Sequence, residues 1–202
     1  MKKNIHIIGG GLAGCELAHQ LSLNNISSFL YEMRPNVKTN AHQTNRLSEL
    51  VCSNSFRSDD SVYNAVGLLH EELRLSNSLI MEAADKNKVP AGSALAVDRD
   101  MFSEYVDRKI KSNKYIKVIT KEITNLKIFK DDIVVIATGP LTSKKLSKEI
   151  EKLTSKKSLD FFDAIAPIVY YESVDMKIAW KQSRYDKGDG DDYINCPLTK
   201  SE

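Results

Sequence analysis

Apolar positions along this chain follow two alternating rhythms. A compact run at Ile5–Ile8 breaks into Gly9, Gly10 and Gly11, and an Ala- and Leu-rich stretch, Leu12–Leu23, follows. The pattern predicts a strand, a tight turn and a helix. A second run over 28–31 closes on Glu32, and Arg34-Pro35 stops it, because proline lacks an amide donor and restricts its predecessor. Residues 36–60 are polar and irregular around a short 47–52 segment and are read as one long functional loop. Over 66–86, Leu68, Leu69, Leu73, Leu75, Leu79 and Ile80 recur at roughly helical spacing and predict a single core helix.

Pro90-Ala91-Gly92-Ser93 reads as a turn, after which Asp98 caps a helix carrying Phe102, Tyr105, Val106 and Ile110 on one face. Short strands are expected at 115–120 and 123–129. Ile133–Ile136 is an uninterrupted β-branched run, suited to a strand buried on both faces, and Ala137-Thr138-Gly139-Pro140 ends it. Residues 143–157 predict a Lys-rich helix with Leu146, Ile150 and Leu153 as its buried stripe. A further strand is expected at 166–173, and Lys187-Gly188-Asp189-Gly190 turns sharply. Strands alternating with helices imply an α/β, Rossmann-like fold on a parallel sheet.

Composition narrows the function. Of 202 residues, 42% are hydrophobic, enough for a packed core, while 29 basic against 27 acidic side chains leave +2 and no electrostatic case for nucleic acid. The six lysines over 144–157 are read as a solvated helix face. No apolar run nears the roughly 18 residues needed to cross a bilayer, so no membrane is expected. No export signal accompanies the three cysteines, which implies reduced thiols and a cytoplasmic location. The four histidines lack metal-ligand spacing, and no Gly-x-Ser-x-Gly elbow is present.

Gly9-x-Gly11-x-x-Gly14 carries the chemistry. After a strand and opening a helix, the first glycine permits the turn, the second lets backbone approach a pyrophosphate, and the third lets helix pack on sheet. Gly10, Leu12 and Ala13 belong to the same bend, where the helix start offers unpaired amides and a positive dipole end. Glu32, 21 residues past Gly11, sits where a carboxylate can accept both hydroxyls of an adenosine ribose. Thr138 and Gly139 end a strand of the kind that terminates near the nucleotide in two-dinucleotide flavoproteins. With glutamate rather than a basic residue at the second strand, FAD or NAD(H) fits better than NADP(H). The bland alternative is a glycine-rich turn in a nucleotide-free α/β protein. Cys52, in a loop, is either a nucleophile or a small packed hydrophobe; Cys15 and Cys196 are read as structural.

These residues together, with Tyr31-Glu32-Met33-Arg34-Pro35, Glu49-Leu50-Val51-Cys52-Ser53-Asn54-Ser55, Val89-Pro90-Ala91-Gly92 and Ser183-Arg184-Tyr185-Asp186-Lys187-Gly188, resemble the folate- and FAD-dependent tRNA (uracil-5-)-methyltransferase family, TrmFO. The resemblance implies an FAD-binding domain of the two-dinucleotide type over residues 1–165, incomplete, with 166–202 opening an inserted α+β domain. It implies a cytoplasmic enzyme that moves a one-carbon unit from methylenetetrahydrofolate, by way of reduced FAD, to C5 of a T-loop uridine in tRNA, with NAD(P)H as reductant. On that likeness Gly9 to Gly14 hold the FAD pyrophosphate, Glu32 its ribose, and Cys52 is the family cysteine near the flavin. Its role, addition to the base or protection of the flavin, stays open at this point. The family's sequences run well past residue 202, so the expectation is a truncated homologue whose C-terminal half is encoded separately, or a decayed copy that binds FAD poorly and methylates nothing. A related flavoprotein that modifies the wobble uridine is a further alternative, and an ordinary NAD dehydrogenase a more distant one.

Overall fold

The computed structural model of the chain describes residues 3–155, 169–183 and 191–197. Strand β1 (Ile5–Ile8) lies between β2 (Ser28–Glu32) and β7 (Ile133–Ile136), and β6 (Ile116–Thr120) pairs with the far side of β2. All three pairings are parallel. Helix α1 (Leu12–Leu23) crosses between β1 and β2. The order β6-β2-β1-β7 places a topological switch between β1 and β7, and ligands of open α/β sheets bind outside the carboxyl ends of the strands at such a point.

Adjacent residues of a strand face opposite sides, and β1 shows what that does. Ile7 is buried in the larger core, with Leu30, Leu79, Phe102, Val106 and Ile110, where α1, α3 (Leu79–Lys86) and α4 (Arg99–Lys111) cover one face. Ile8 points the other way, into a smaller cluster with Ile123, Phe129 and Leu146 beneath α5 (Lys144–Thr154). His6 also lies on that second face, stacked on Phe29 and tilted against Phe129, with Nε2 3.0 Å from Asp132 Oδ2.

Several elements depart from the hydrophobic pattern. The single helix expected over 66–86 is two, α2 (Ala65–Leu75) and α3, because Asn77 takes a positive φ of 56° and the Ser78 side chain accepts the amide of Met81 to start a new helix. Leu68, Leu69 and Leu75 of α2 are exposed rather than core. Within the expected long loop, β3 (Ser55–Ser58) joins β4 (Lys88–Val89) and β5 (Ala94–Val97) in a small antiparallel sheet that no alternation had signalled. The strand expected at 123–129 is instead a 3₁₀ turn, Leu126–Phe129, capped by Asn125. Strand β7 is not buried on both faces: among the described residues it is the sheet edge, and Ile133 and Ile136 are 47% and 39% exposed. The lysine-rich helix keeps Leu146 buried but leaves Leu153 exposed. Of the strand expected at 166–173, residues 166–168 lie outside the described residues and Tyr171–Ser173 forms a 3₁₀ turn. Beyond it, β8 (Trp180–Lys181) and β9 (Ile194–Asn195) pair as a short ladder, tied back where Tyr193 Oη donates to Ala91 O.

One close approach decides how α1 meets the sheet. A Cβ on Gly14 would lie 1.9 Å from the carbonyl oxygen of Gly9, so any side chain forces the helix off β1. The exchange Gly14→Ala is therefore expected to cost about 3 kcal/mol and lower the melting temperature by roughly 6–12 °C in calorimetry; an unchanged melt would contradict this packing.

Candidate active site and nucleotide cleft

At the carboxyl ends of β1, β2 and β7 opens a cleft of about 520 Å³. Gly9, Gly10, Gly11, Leu12, Ala13, Glu32, Thr138 and Gly139 all line it, and Gly14 lies directly beneath as the packing glycine. The bend is built by backbone. The amide of Gly9 donates to Tyr31 O at 2.9 Å, that of Ala137 donates to Ile8 O at 2.8 Å, and Gly9 adopts a φ of +111°.

Two observations set the start of α1 apart from the other helix starts. Helices α2, α3, α4 and α5 each begin with a side-chain oxygen accepting a first-turn amide, whereas α1 begins at Gly11 with no side-chain cap and no acidic residue in its first turn. A Cβ on Gly11 would meet nothing within 4 Å. Space and unpaired amides coincide at the positive end of the helix dipole, which is what a diphosphate requires. The chain therefore fits a dinucleotide there.

Glu32 is close to the bend: its Oε2 accepts the Gly10 amide at 3.2 Å. It is not idle, however. Oε1 accepts the backbone amide and Nε of Arg34 at 3.0 and 2.9 Å, and Oε2 accepts Arg34 Nη2 at 3.0 Å. A carboxylate has about four acceptor positions, and the chain fills them. Burial pushes the Glu32 carboxyl up, but the hydrogen bonds and charge of Arg34 and the Gly10 amide outweigh it and hold the group below its ordinary range. Arg34 itself is 3% exposed and reaches on to Glu49 Oε2 at 2.7 Å. Sequence reasoning had passed over Arg34, Glu49 and His42, which also line the cleft. A charged residue next to a proline gave no periodicity to read, and the signal available was the pair of acidic residues flanking an otherwise polar loop.

Cys52 stands apart from the bend. It is exposed, and its neighbour Val51, rather than Cys52, lines the cleft. Arg99 Nη2 holds its carbonyl at 3.1 Å. Cys15 is fully buried, donates to Gly10 O, and burial pushes its thiol up to about 12, so it packs and does not react. Cys196 is exposed. Among the described residues no group of His, Cys, Asp or Glu could hold a metal ion, and no helix is long and apolar enough to cross a membrane.

Residues 4–202 match the family model of glucose inhibited division protein A. The chain belongs to that family. Within it, the chain is 58% identical over 202 residues to a protein of Bartonella henselae and 56% identical over 198 residues to one of Zymomonas mobilis, both named methylenetetrahydrofolate–tRNA-(uracil-5-)-methyltransferase TrmFO. Each alignment takes in 98% of this chain but 43% and 44% of the relative, so the chain spans less than half the length of the curated proteins it matches. A solved structure of Aquifex aeolicus GidA overlaps 61% of this chain and 20% of its own at 13% identity and a TM-score of 0.48.

The thiols give a direct check. In native protein an aromatic disulfide reagent should titrate Cys52 and Cys196 promptly and Cys15 only after unfolding; three fast thiols would contradict the burial of α1. The buried carboxylate gives another. Because the pKa of Glu32 is lowered on folding, its stabilisation is complete above its ordinary 4.5 and is lost as pH falls through the folded value. Unfolding free energy measured by denaturant titration should therefore drop below about pH 4.5, with a shallower acid limb in Glu32→Gln.

Proposed function

We propose that this chain is the FAD-holding portion of a folate-dependent tRNA uracil-5 methyltransferase. The observation that carries the reading is the uncapped start of α1 beside Gly11, whose missing side chain opens onto the cleft. The first-turn amides of α1 would receive the diphosphate, and Gly9 and Gly14 keep the bend close enough to β1 for them to do so. Thr138 and Gly139, at the end of β7, also line the cleft. When bound, FAD supplies the redox chemistry that passing a one-carbon unit from methylenetetrahydrofolate requires, and NAD(P)H is the proposed electron source.

The relatives' shared name supports the substrate assignment: a tRNA uracil, modified at C5. C5 of uracil is a weak nucleophile until a group adds at C6, so the reaction calls for a thiolate or an equivalent base near the cleft. We assign that need to Cys52, which the structure leaves outside the cleft lining but one residue from it. It is exposed on the residue next to cleft-lining Val51, in a loop whose carbonyl Arg99 pins. Burial excludes Cys15 from the same role.

The test separates binding from folding. The full chain, titrated with FAD by flavin fluorescence quenching, should bind one equivalent. A Gly11→Val exchange, whose side chain projects into open space, should leave the melting temperature within about 2 °C while weakening FAD at least about tenfold, since it occupies the diphosphate's place. Binding of FAD unaltered by valine at position 11, or no binding by the unaltered chain, would refute the proposal. In an assay completed with the remaining length of a relative, Cys52→Ala should abolish 5-methyluridine formation and spare FAD binding.

A further inference from the structure

The loop between β2 and β3 is tied to the glycine bend by the Ser48 amide, which donates to Gly10 O at 2.8 Å, and is folded on itself around the Glu49 carboxylate. Glu49 accepts the backbone amides of Gln43 and Thr44 at Oε1, both at 2.9 Å, and Arg34 Nη1 at Oε2. The same guanidinium grips Glu32, so the loop is folded on itself and anchored to the end of β2. His42 stands on this loop, half-buried, and lines the cleft together with the glycine bend.

The orientation of the His42 ring is fixed from within the loop. Its amide donates to Thr39 O at 3.2 Å, closing a turn, and its Nδ1 lies 3.4 Å from the Thr39 amide nitrogen and 3.0 Å from Thr39 Oγ1. A backbone N–H only donates, so this network assigns Nδ1 as the acceptor and places the proton of the neutral ring on Nε2. Burial, with the Arg34 and Lys38 charges, holds the ring's pKa below its ordinary value against the opposing pull of Glu49 and Glu32. Among the described residues nothing accepts the Nε2 proton, which leaves the cleft a pre-oriented, uncharged donor.

The neighbourhood says which part of a dinucleotide that donor suits. The charged groups acting on His42 are Arg34 and Lys38 against Glu32 and Glu49, two positive and two negative. A balanced neighbourhood gives phosphate no net attraction at this ring, and a neutral donor suits an uncharged sugar or base. Glu32, moreover, already has its acceptor positions filled by Arg34 and Gly10, so a ribose arriving there needs a partner besides that carboxylate. We infer that His42 binds the adenosine half of the dinucleotide, donating from Nε2 to a ribose oxygen or an adenine ring nitrogen, with Thr39 as the positioning residue that sets the ring. The inference rests on the dinucleotide reading above and assigns one new contact within it.

The experiment titrates the full chain with FAD and, separately, with ADP, which carries adenosine and diphosphate without flavin, at pH 7.5 by calorimetry. His42→Ala should weaken both ligands by the same factor, roughly five- to tenfold, the size of one neutral hydrogen bond. His42→Gln, which retains an N–H donor, should stay within about threefold of the parent, and Thr39→Val should fall between. Ligand-free melts of all three report folding, and the glutamine and valine variants carry the test if alanine alone lowers the melt. Equal loss for FAD and ADP with rescue by glutamine supports the assignment. Loss for FAD alone places His42 against the flavin half and overturns it, as does no loss for either ligand. A parent chain that binds neither FAD nor ADP overturns the dinucleotide reading itself, and this contact with it.

Discussion

Everything at the carboxyl end of the sheet depends on a buried ion pair. Arg34 places three nitrogens on the Glu32 carboxylate and a fourth on Glu49, with its own side chain 2% exposed and each carboxylate side chain 9% exposed. Isolated, any one of these charges would be too costly to bury; together, with the Gly10 amide as a further donor, they are satisfied. The result is mechanical as well as electrostatic. Strand β2, the glycine bend and the loop over 39–49 are held in one arrangement, so the bend presents its amides to the cleft before any ligand arrives. Pre-formed donors lose little ordering free energy on binding, which suits a site for a large, flexible dinucleotide.

The glycines and this ion pair divide the work between shape and charge. Gly14 lets α1 sit against β1, and Gly9 turns the chain, while Gly11 leaves open space where the other two leave none. Gly139 likewise meets nothing but takes a φ of +58°, whereas Gly11 has an ordinary φ of −77° and open space. That asymmetry sets the two glycines required by packing apart from the one that faces open space at the start of α1.

How far the sequence was legible follows the range of the forces involved. Ile5–Ile8, Leu12–Leu23 and the Asp98-capped helix were readable because periodicity and capping act within a few residues. The break between α2 and α3 was missed because leucines run through it in helical spacing, while the positive φ at Asn77 and the Ser78 cap override them. Strand β3 pairs with β5 some forty residues away in sequence, and no local alternation announces it. The β-branched run of β7 read as doubly buried, yet burial is decided by neighbours, and among the described residues β7 has β1 on one side alone. At the cleft, the glycine bend and Glu32 were legible as a motif at fixed spacing, whereas the Arg34–Glu49 anchor and His42 were not, since a folded loop rather than a spacing brings them there.

A crystal structure of the chain grown with FAD tests the central claim most directly. The account predicts the diphosphate within hydrogen-bond distance of the Leu12 and Ala13 amides, against Gly11, with the Glu32–Arg34 pair intact beside the adenosine. Density for the diphosphate elsewhere, or an α1 start still facing only solvent in crystals saturated with FAD, would contradict it.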